Sequence, residues 1–238
     1  MKLSRLEKCC IGAVGLFCVA VVYTILTPGA FLPPHGRRLQ CLNRIRNTGL
    51  ALEEYHATYN SFPPAFIADA NGKPMHSWRV LILPYLDQAA LYKRYRFDEP
   101  WDGPNNSQLR DDLSFFKEFE CPETAGQMPG HTSFLVVVGP ETVFPGSTST
   151  RYEDITDGAT TLLLVEVENS GIHWMEPRDL HFEQVIAEKS VVSSKHEFPN
   201  VAFVGFRAIP ASPELLKPAQ LQKLLTIRGG EEVELDHR

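Results

Sequence analysis

The sequence lacks the motifs that mark most catalytic and nucleic-acid-binding proteins. Its 238 residues contain no Gly-x-Ser-x-Gly elbow and no His-Glu-x-x-His motif. Acidic residues outnumber basic residues by 29 to 23, and no basic stripe is present, which argues against a nucleic-acid partner. We therefore predict no catalytic residue, no cofactor and no enzymatic activity. A hydrolase whose catalytic residues meet only in space is an alternative.

Charge is absent from residues 9–26. As a helix, this run would be about 27 Å long, close to the roughly 30 Å hydrocarbon core of a bilayer. Lys2, Arg5 and Lys8 precede the run with only Glu7 opposing them, so the positive-inside rule predicts a cytoplasmic N-terminus and an exported domain. We expect a single-pass membrane anchor. A cleaved signal peptide and a buried core helix are the alternatives.

Cysteine is scarce beyond this run, where Cys41 and Cys121 are the two that remain. In an oxidising compartment, two cysteines predict one disulfide. Closing a loop of about 80 residues would stabilise the fold by about 4 kcal/mol in the chain-entropy model. Two separate buried thiols are the alternative. Because no Cys-x-x-Cys pair is present, the spacing predicts no metal site.

The first half of the exported part is helical in pattern. Apolar residues recur every three or four positions over residues 37–59, which predicts a long amphipathic helix that a following proline pair ends. Ser77 can cap a second helix over residues 78–95, and Pro84 would kink or split it.

The second half is β-rich. Its three apolar runs have the length and β-branched content of buried strands, and they cover residues 132–138, 161–167 and 200–206. Short helices are predicted over residues 179–188 and 218–227. Helices that precede strands favour an α+β fold, in which the long helix packs on an antiparallel sheet.

The motifs of this domain resemble a known family. The segment CLNRIRNTGLALEEYH, residues 41–56, is similar to the pattern C-x-N-x-L-x-x-I-G-L-A-L-x-x-Y-H. It is followed in order by SFPPA, HSWR, LPYL, EPWD, CP, VGP and ITDG. Over residues 37–206 this series resembles the bacterial prepilin-like family known as domain of unknown function 1559. The resemblance implies a pilin-like fold with a long N-terminal helix, and it implies no established activity.

One buried ion pair is predicted from a charge in an apolar run. Glu166 lies inside the second predicted strand, where a carboxylate needs a partner or a raised pKa. We predict Arg79 of the HSWR segment as that partner. A general acid or base role for Glu166 is the alternative.

Ligand-binding candidates lie in two loops. Asp98 and Asp102 flank Trp101 in a loop rich in the oxygen ligands that suit Ca²⁺, but EF-hand spacing is absent, and a hydrogen-bonded loop is the simpler interpretation. Trp101 and Trp174 also offer aromatic faces for sugar stacking.

The sequence thus predicts a membrane-anchored, extracytoplasmic, pilin-like domain with a structural or interaction role at the cell envelope. A carbohydrate- or metal-binding module is the alternative function. Partners would be the membrane, through residues 9–26, and envelope proteins or a second copy of the chain. The predicted parts are a cytoplasmic N-terminus (1–8), the anchor (9–26), a proline-rich linker (27–36), the pilin-like domain with loop-rich insertions (37–228) and a charged tail (229–238).

Overall fold

The computed structural model describes residues 34–110, 118–124, 127, 129–187 and 191–230. The predicted anchor, residues 9–26, and the charged tail from 231 onward lie outside these ranges. Among the helices that are described, none combines the length and the apolar content needed to cross a bilayer. Residues Arg38–Arg238 cluster as one compact unit, and the fold below is that of this unit together with the first turn of its long N-terminal helix.

Helix α1, Pro34–Tyr59, is the longest element. It begins three residues before the predicted start, inside the predicted linker, because proline is tolerated in the first turn of a helix. Asn60 ends it with a φ of 55° and donates its N–H to the His56 carbonyl at 2.7 Å, a left-handed cap of the kind common at helix C-termini. Five of its buried residues follow helical spacing and form one stripe: Cys41, Ile45, Thr48, Leu52 and His56.

The central sheet has four antiparallel strands in the order β3-β5-β7-β8. These strands are β3 (Phe134–Leu135), β5 (Leu162–Glu166), β7 (Asn200–Phe203) and β8 (Ala208–Pro210). Each of the three predicted β-rich runs therefore contains a strand of this sheet. In β5 and β7 every residue is buried, which explains why their sequences do not alternate between apolar and polar residues.

The sheet separates two apolar clusters. Leu164 and Ala202 belong to the cluster that contains the buried stripe of α1, whereas Val165 and Val201 belong to the cluster on the other face. Helix α6, Pro218–Leu225, contributes three leucines to that second cluster. The α+β architecture with a long helix on an antiparallel sheet is thus confirmed.

Shorter elements complete the domain. They are the hairpin of β1 (Phe66–Ala68) and β2 (Pro74–Ser77), helices α2 (Trp78–Leu81), α3 (Ala89–Arg94), α4 (Asn106–Arg110) and α5 (Phe182–Ala187), and the parallel pair β4 (Val137–Val138) and β6 (Leu180–His181). Three-residue 3-10 turns lie at Tyr152–Asp154 and Gly158–Thr160.

The predicted second helix, residues 78–95, is broken into three pieces. Ser77 caps α2 as predicted, accepting the Arg79 N–H at 3.2 Å. Pro84 lies in a separate 3-10 turn, Leu83–Leu86, and Asp87 then adopts a left-handed φ of 59° before α3 begins. Proline lacks the N–H that a continuous helix needs, so the chain leaves the helical path at this point.

We expect Gly49→Ala to stabilise the fold by about 0.5–1 kcal/mol, because alanine favours helix and loses less backbone entropy than glycine on folding. A Cβ atom at Gly49 would lie 3.7 Å from the Cβ of Ala202 on β7, an ordinary van der Waals contact. Gly49→Leu should destabilise the fold, because its further carbons would press on the same strand. Urea unfolding of both variants measures the two effects. Equal destabilisation by both would contradict this account of the contact between α1 and β7.

Candidate functional site

Four side chains with metal-ligating atoms meet where α1 passes the end of β5. They are Cys41, Cys121, Glu166 and His196, and one ligand atom from each lies within 4.8 Å of the ligand atoms of the other three. The two cysteines and Glu166 are buried, and the His196 side chain is 4% exposed. We call this group the Cys–Glu–His cluster.

Each member of the cluster comes from a different segment. Cys41 lies on the buried stripe of α1, and Glu166 is the last residue of β5. Cys121 precedes β3, and its backbone N–H donates to Ser133 Oγ at 2.9 Å. His196 precedes β7, and its backbone N–H donates to Ser194 Oγ at 3.1 Å. Hydrogen bonds to nearby serines thus hold the two members that come from loops.

Glu166 is held by donors on both carboxylate oxygens. The Cys41 thiol donates to Oε1 at 3.1 Å, and Ser194 Oγ donates to the same oxygen at 2.8 Å. The backbone and side-chain N–H groups of Asn200 both donate to Oε2 at 2.8 Å. A buried carboxylate requires such partners, and these fix its orientation.

The remaining contacts join the thiols and the imidazole. Cys121 Sγ lies 3.2 Å from His196 Nε2, which lies 3.8 Å from Glu166 Oε1. The pKa of the Cys41 thiol is raised, most by its hydrogen bond with Cys121, then by burial and by the negative charge of Glu166. Without a cation these contacts favour the protonated thiol, whereas a bound metal ion would deprotonate it.

The predicted disulfide is not formed in this structure, because Cys41 and Cys121 are both free cysteines. The fold nevertheless brings the two thiols into one cluster, although they are far apart in sequence. Sequence reasoning missed His196 as a site residue, since no ligand spacing connects it to either cysteine. The pair of cysteines beyond the apolar run and the unusual position of Glu166 in an apolar strand are the sequence signals for this site.

The predicted ion pair between Arg79 and Glu166 is wrong. Arg79 is fully buried, as a paired residue should be, but its partner is Asp179: Nη2 lies 2.5 Å from Oδ1 and Nη1 lies 3.2 Å from Oδ2. Asp179 also accepts the Val136 N–H at 3.0 Å and Trp78 Nε1–H at 3.1 Å. This network holds α2 and the β3–β4 segment together.

The two tryptophans predicted as ligand-binding candidates differ in how far their rings are exposed to solvent. Trp101 is half-buried and stacks on His173, with ring centroids 5.9 Å apart and planes at 22°. Trp174 is only 1% exposed and stacks on Phe119, so it offers no face to a ligand. The pKa of His173 is lowered to about 4, most by burial and then by the nearby His131 and Arg110. Its ring is therefore neutral at pH 7.

The acidic loop is organised by hydrogen bonds of its own. Asp98 is exposed beside Arg96 at 3.8 Å, and Asp102 is also exposed. Glu99 accepts the backbone N–H groups of Asn105 at 2.8 Å and Asn106 at 2.6 Å. Within the described ranges, neither Asp98 nor Asp102 belongs to a group of three potential metal ligands. The simpler interpretation, a hydrogen-bonded loop, describes these contacts.

A cluster of aromatic rings, not singled out in the sequence, lies beside the C-terminal end of α1. Tyr55 contacts Tyr59 and Tyr85 with ring centroids 4.5 and 6.3 Å apart, and Tyr92 contacts Phe97 at 5.6 Å. The phenols influence one another. The pKa of Tyr55 is raised to about 12, most by burial and then by the neighbouring phenols of Tyr59, Tyr85 and Tyr92. We call these five residues the aromatic patch.

The family model described as "Protein of unknown function (DUF1559)" matches residues 34–142. These residues belong to that family. The match confirms the resemblance found in the sequence, and the matched part of the DUF1559 domain contains both cysteines of the cluster and all of the aromatic patch. Glu166 and His196 lie beyond it. No curated protein and no solved structure matches the chain.

We expect Arg79→Ala and Asp179→Ala each to lower the free energy of unfolding by about 3–5 kcal/mol, because each leaves a buried charge without its partner. The double variant should lose less than the sum of the two single losses, since it leaves no isolated charge. Denaturant unfolding of the four proteins in the cycle gives the coupling free energy. Strictly additive losses would contradict a direct pair.

Proposed function

We propose that this DUF1559 protein is a membrane-anchored, extracytoplasmic domain with an interaction role at the cell envelope. Its partner is another envelope protein, and the aromatic patch is the contact surface. The exposure of Tyr59 and Phe97 in this patch is the observation that carries the proposal, and the uncharged run at residues 9–26 supports the location.

The composition of the patch supports protein contact. Tyr59 is 59% exposed and Phe97 is 37% exposed, although both are large apolar rings. Tyrosine is enriched at protein interfaces, because it supplies a large contact area with few rotatable bonds and a polar tip. Tyr59 touches Tyr55, and Phe97 touches Tyr92, so each exposed ring extends a partly buried aromatic neighbour instead of standing alone on the surface.

The ring geometry favours a protein over a glycan. Planes in the patch meet at 41° for Tyr55 and Tyr59, at 78° for Tyr55 and Tyr85, and at 60° for Tyr92 and Phe97. A sugar ring stacks on a flat aromatic face, whereas protein side chains pack between tilted rings. The patch therefore suits interdigitating side chains.

The position of the patch also fits a tethered domain. Tyr55 and Tyr59 lie in the last turns of α1, and the predicted anchor precedes its first turn in the chain. Glu53, on the same part of this helix, accepts the Gly205 N–H at 2.8 Å and the Tyr152 hydroxyl. These two hydrogen bonds fix the C-terminal end of α1 to the rest of the domain. A fixed patch presents one surface to a partner with little ordering cost.

We expect the full-length protein to remain with the membrane fraction after alkaline extraction and to dissolve in detergent, because residues 9–26 would lie in the bilayer. Protease added to the extracytoplasmic side should degrade the domain. A variant that lacks residues 9–26 is the control and should leave the membrane fraction. Full-length protein in the cytosol would contradict both the location and an envelope partner for the aromatic patch.

We expect a photo-crosslinking amino acid at Phe97 to give one discrete protein adduct in living cells, because the patch lies in an interface. The same probe at exposed Gln222 on α6 is the control and should give none. Tyr59→Ser, an exposed change, should abolish the Phe97 adduct, and mass spectrometry identifies the partner. A glycan adduct, equal adducts at both positions or no loss in Tyr59→Ser would contradict the proposal.

A further inference from the structure

We propose that the Cys–Glu–His cluster is a Zn²⁺ site in which Cys41, Cys121, Glu166 and His196 are the four ligands. The proposal concerns the chemistry of this cluster alone and does not depend on the aromatic patch or on the location of the protein.

The donor set suits Zn²⁺. Two thiol sulfurs, one imidazole nitrogen and one carboxylate oxygen converge within 4.8 Å in a buried place. Zn²⁺ binds these three donor types and is four-coordinate in structural sites. Calcium and magnesium prefer all-oxygen ligands, and the two thiols therefore argue against them.

The donor atoms are spaced nearly as in a tetrahedral zinc site. In a tetrahedral zinc site, the ligand atoms lie about 3.3 to 3.8 Å from one another, as the usual bond lengths require. The cluster has Cys41 Sγ at 3.1 Å from Glu166 Oε1, Cys121 Sγ at 3.2 Å from His196 Nε2, and His196 Nε2 at 3.8 Å from Glu166 Oε1. Small shifts of these side chains would produce the tetrahedron.

Neighbouring hydrogen-bond donors already hold one of the four ligands in place. Ser194 and Asn200 already orient the Glu166 carboxylate through three hydrogen bonds, as outer residues do around metal ligands. On binding, Zn²⁺ would form two bonds to sulfur, one to Nε2 and one to a carboxylate oxygen. Both thiol protons would pass to solvent. The three hydrogen bonds would then stabilise the negative charge that remains on the site.

A disulfide accounts for the cluster less well. It would use only the two cysteines and would remove the Cys41 proton that Glu166 Oε1 now accepts. A carboxylate and an imidazole would then remain buried beside a bond that needs neither. A zinc ion uses all four groups.

The site would be structural. All four coordination positions come from protein side chains, so none is left for a substrate, which is the pattern of structural zinc sites. The ion would link α1, the segment before β3, the end of β5 and the segment before β7. We therefore expect zinc to stabilise the fold.

The test uses the full-length chain in detergent, purified without a metal column, stripped by a chelator and reloaded with Zn²⁺ or Co²⁺ alone. We expect about one Zn²⁺ per chain by elemental analysis and a higher melting temperature than for the stripped protein. With Co²⁺, we expect a thiolate-to-metal charge-transfer band and the visible bands of a tetrahedral complex.

The variants separate the ligands from the fold. Cys121→Ser and His196→Gln should each lose the zinc and the zinc-dependent rise in melting temperature, and Ser194→Ala should weaken binding by about 10- to 100-fold. His56→Gln removes a buried imidazole outside the cluster and should keep the metal. If Cys121→Ser does not fold, the zinc content of His196→Gln and the Co²⁺ spectrum of the wild type still test whether the cluster binds metal. Negligible zinc after reloading, a Co²⁺ spectrum without the thiolate band, or an intact Cys41–Cys121 disulfide in freshly isolated protein would overturn the proposal.

Discussion

Burial of the Glu166 carboxylate constrains the rest of the fold. A carboxylate that leaves water needs hydrogen-bond donors, and its donors here come from α1, from the segment before β7 and from β7 itself. The buried Glu166 carboxylate therefore relies on Cys41, Ser194 and Asn200 for its hydrogen bonds. Long-range β pairing and the docking of α1 thus depend on the same residue, which couples the helix to the sheet.

The second buried network meets the first at one strand. Phe134 of β3 pairs with Glu166 of β5, and its carbonyl accepts Arg79 Nη2–H at 3.1 Å. Arg79 is in turn paired with Asp179. The short strand β3 thus lies between a buried carboxylate cluster and a buried ion pair. Two residues of strand pairing alone would hold it weakly, so we infer that these side-chain bonds fix its register.

Local sequence patterns predict the helices and strands, whereas contacts between residues far apart in the chain form the Cys–Glu–His cluster and the ion pair of Arg79. The periodicity of α1 and the apolar content of β5 and β7 can be read from the sequence because each is a property of one segment. The partner of Arg79 cannot be read from the sequence, because Asp179 lies 100 positions away in the chain and no local pattern marks it. For the same reason, the burial of Glu166 is predictable from its apolar neighbours, but its meeting with His196 is not.

The Cys–Glu–His cluster ties the chemistry of the protein to its compartment. Two neighbouring thiols in an oxidising compartment tend to form a disulfide, whereas thiolates bound to a metal are held apart and are protected by coordination. If the domain is exported, the order of events decides its state: zinc bound before oxidation keeps Cys41 and Cys121 reduced, and oxidation first leaves Glu166 and His196 without a metal. In this structure both thiols are free, and the ligand atoms of Glu166 and His196 lie within 4.8 Å of both sulfurs, an arrangement in which a metal ion would engage all four groups and a disulfide only two.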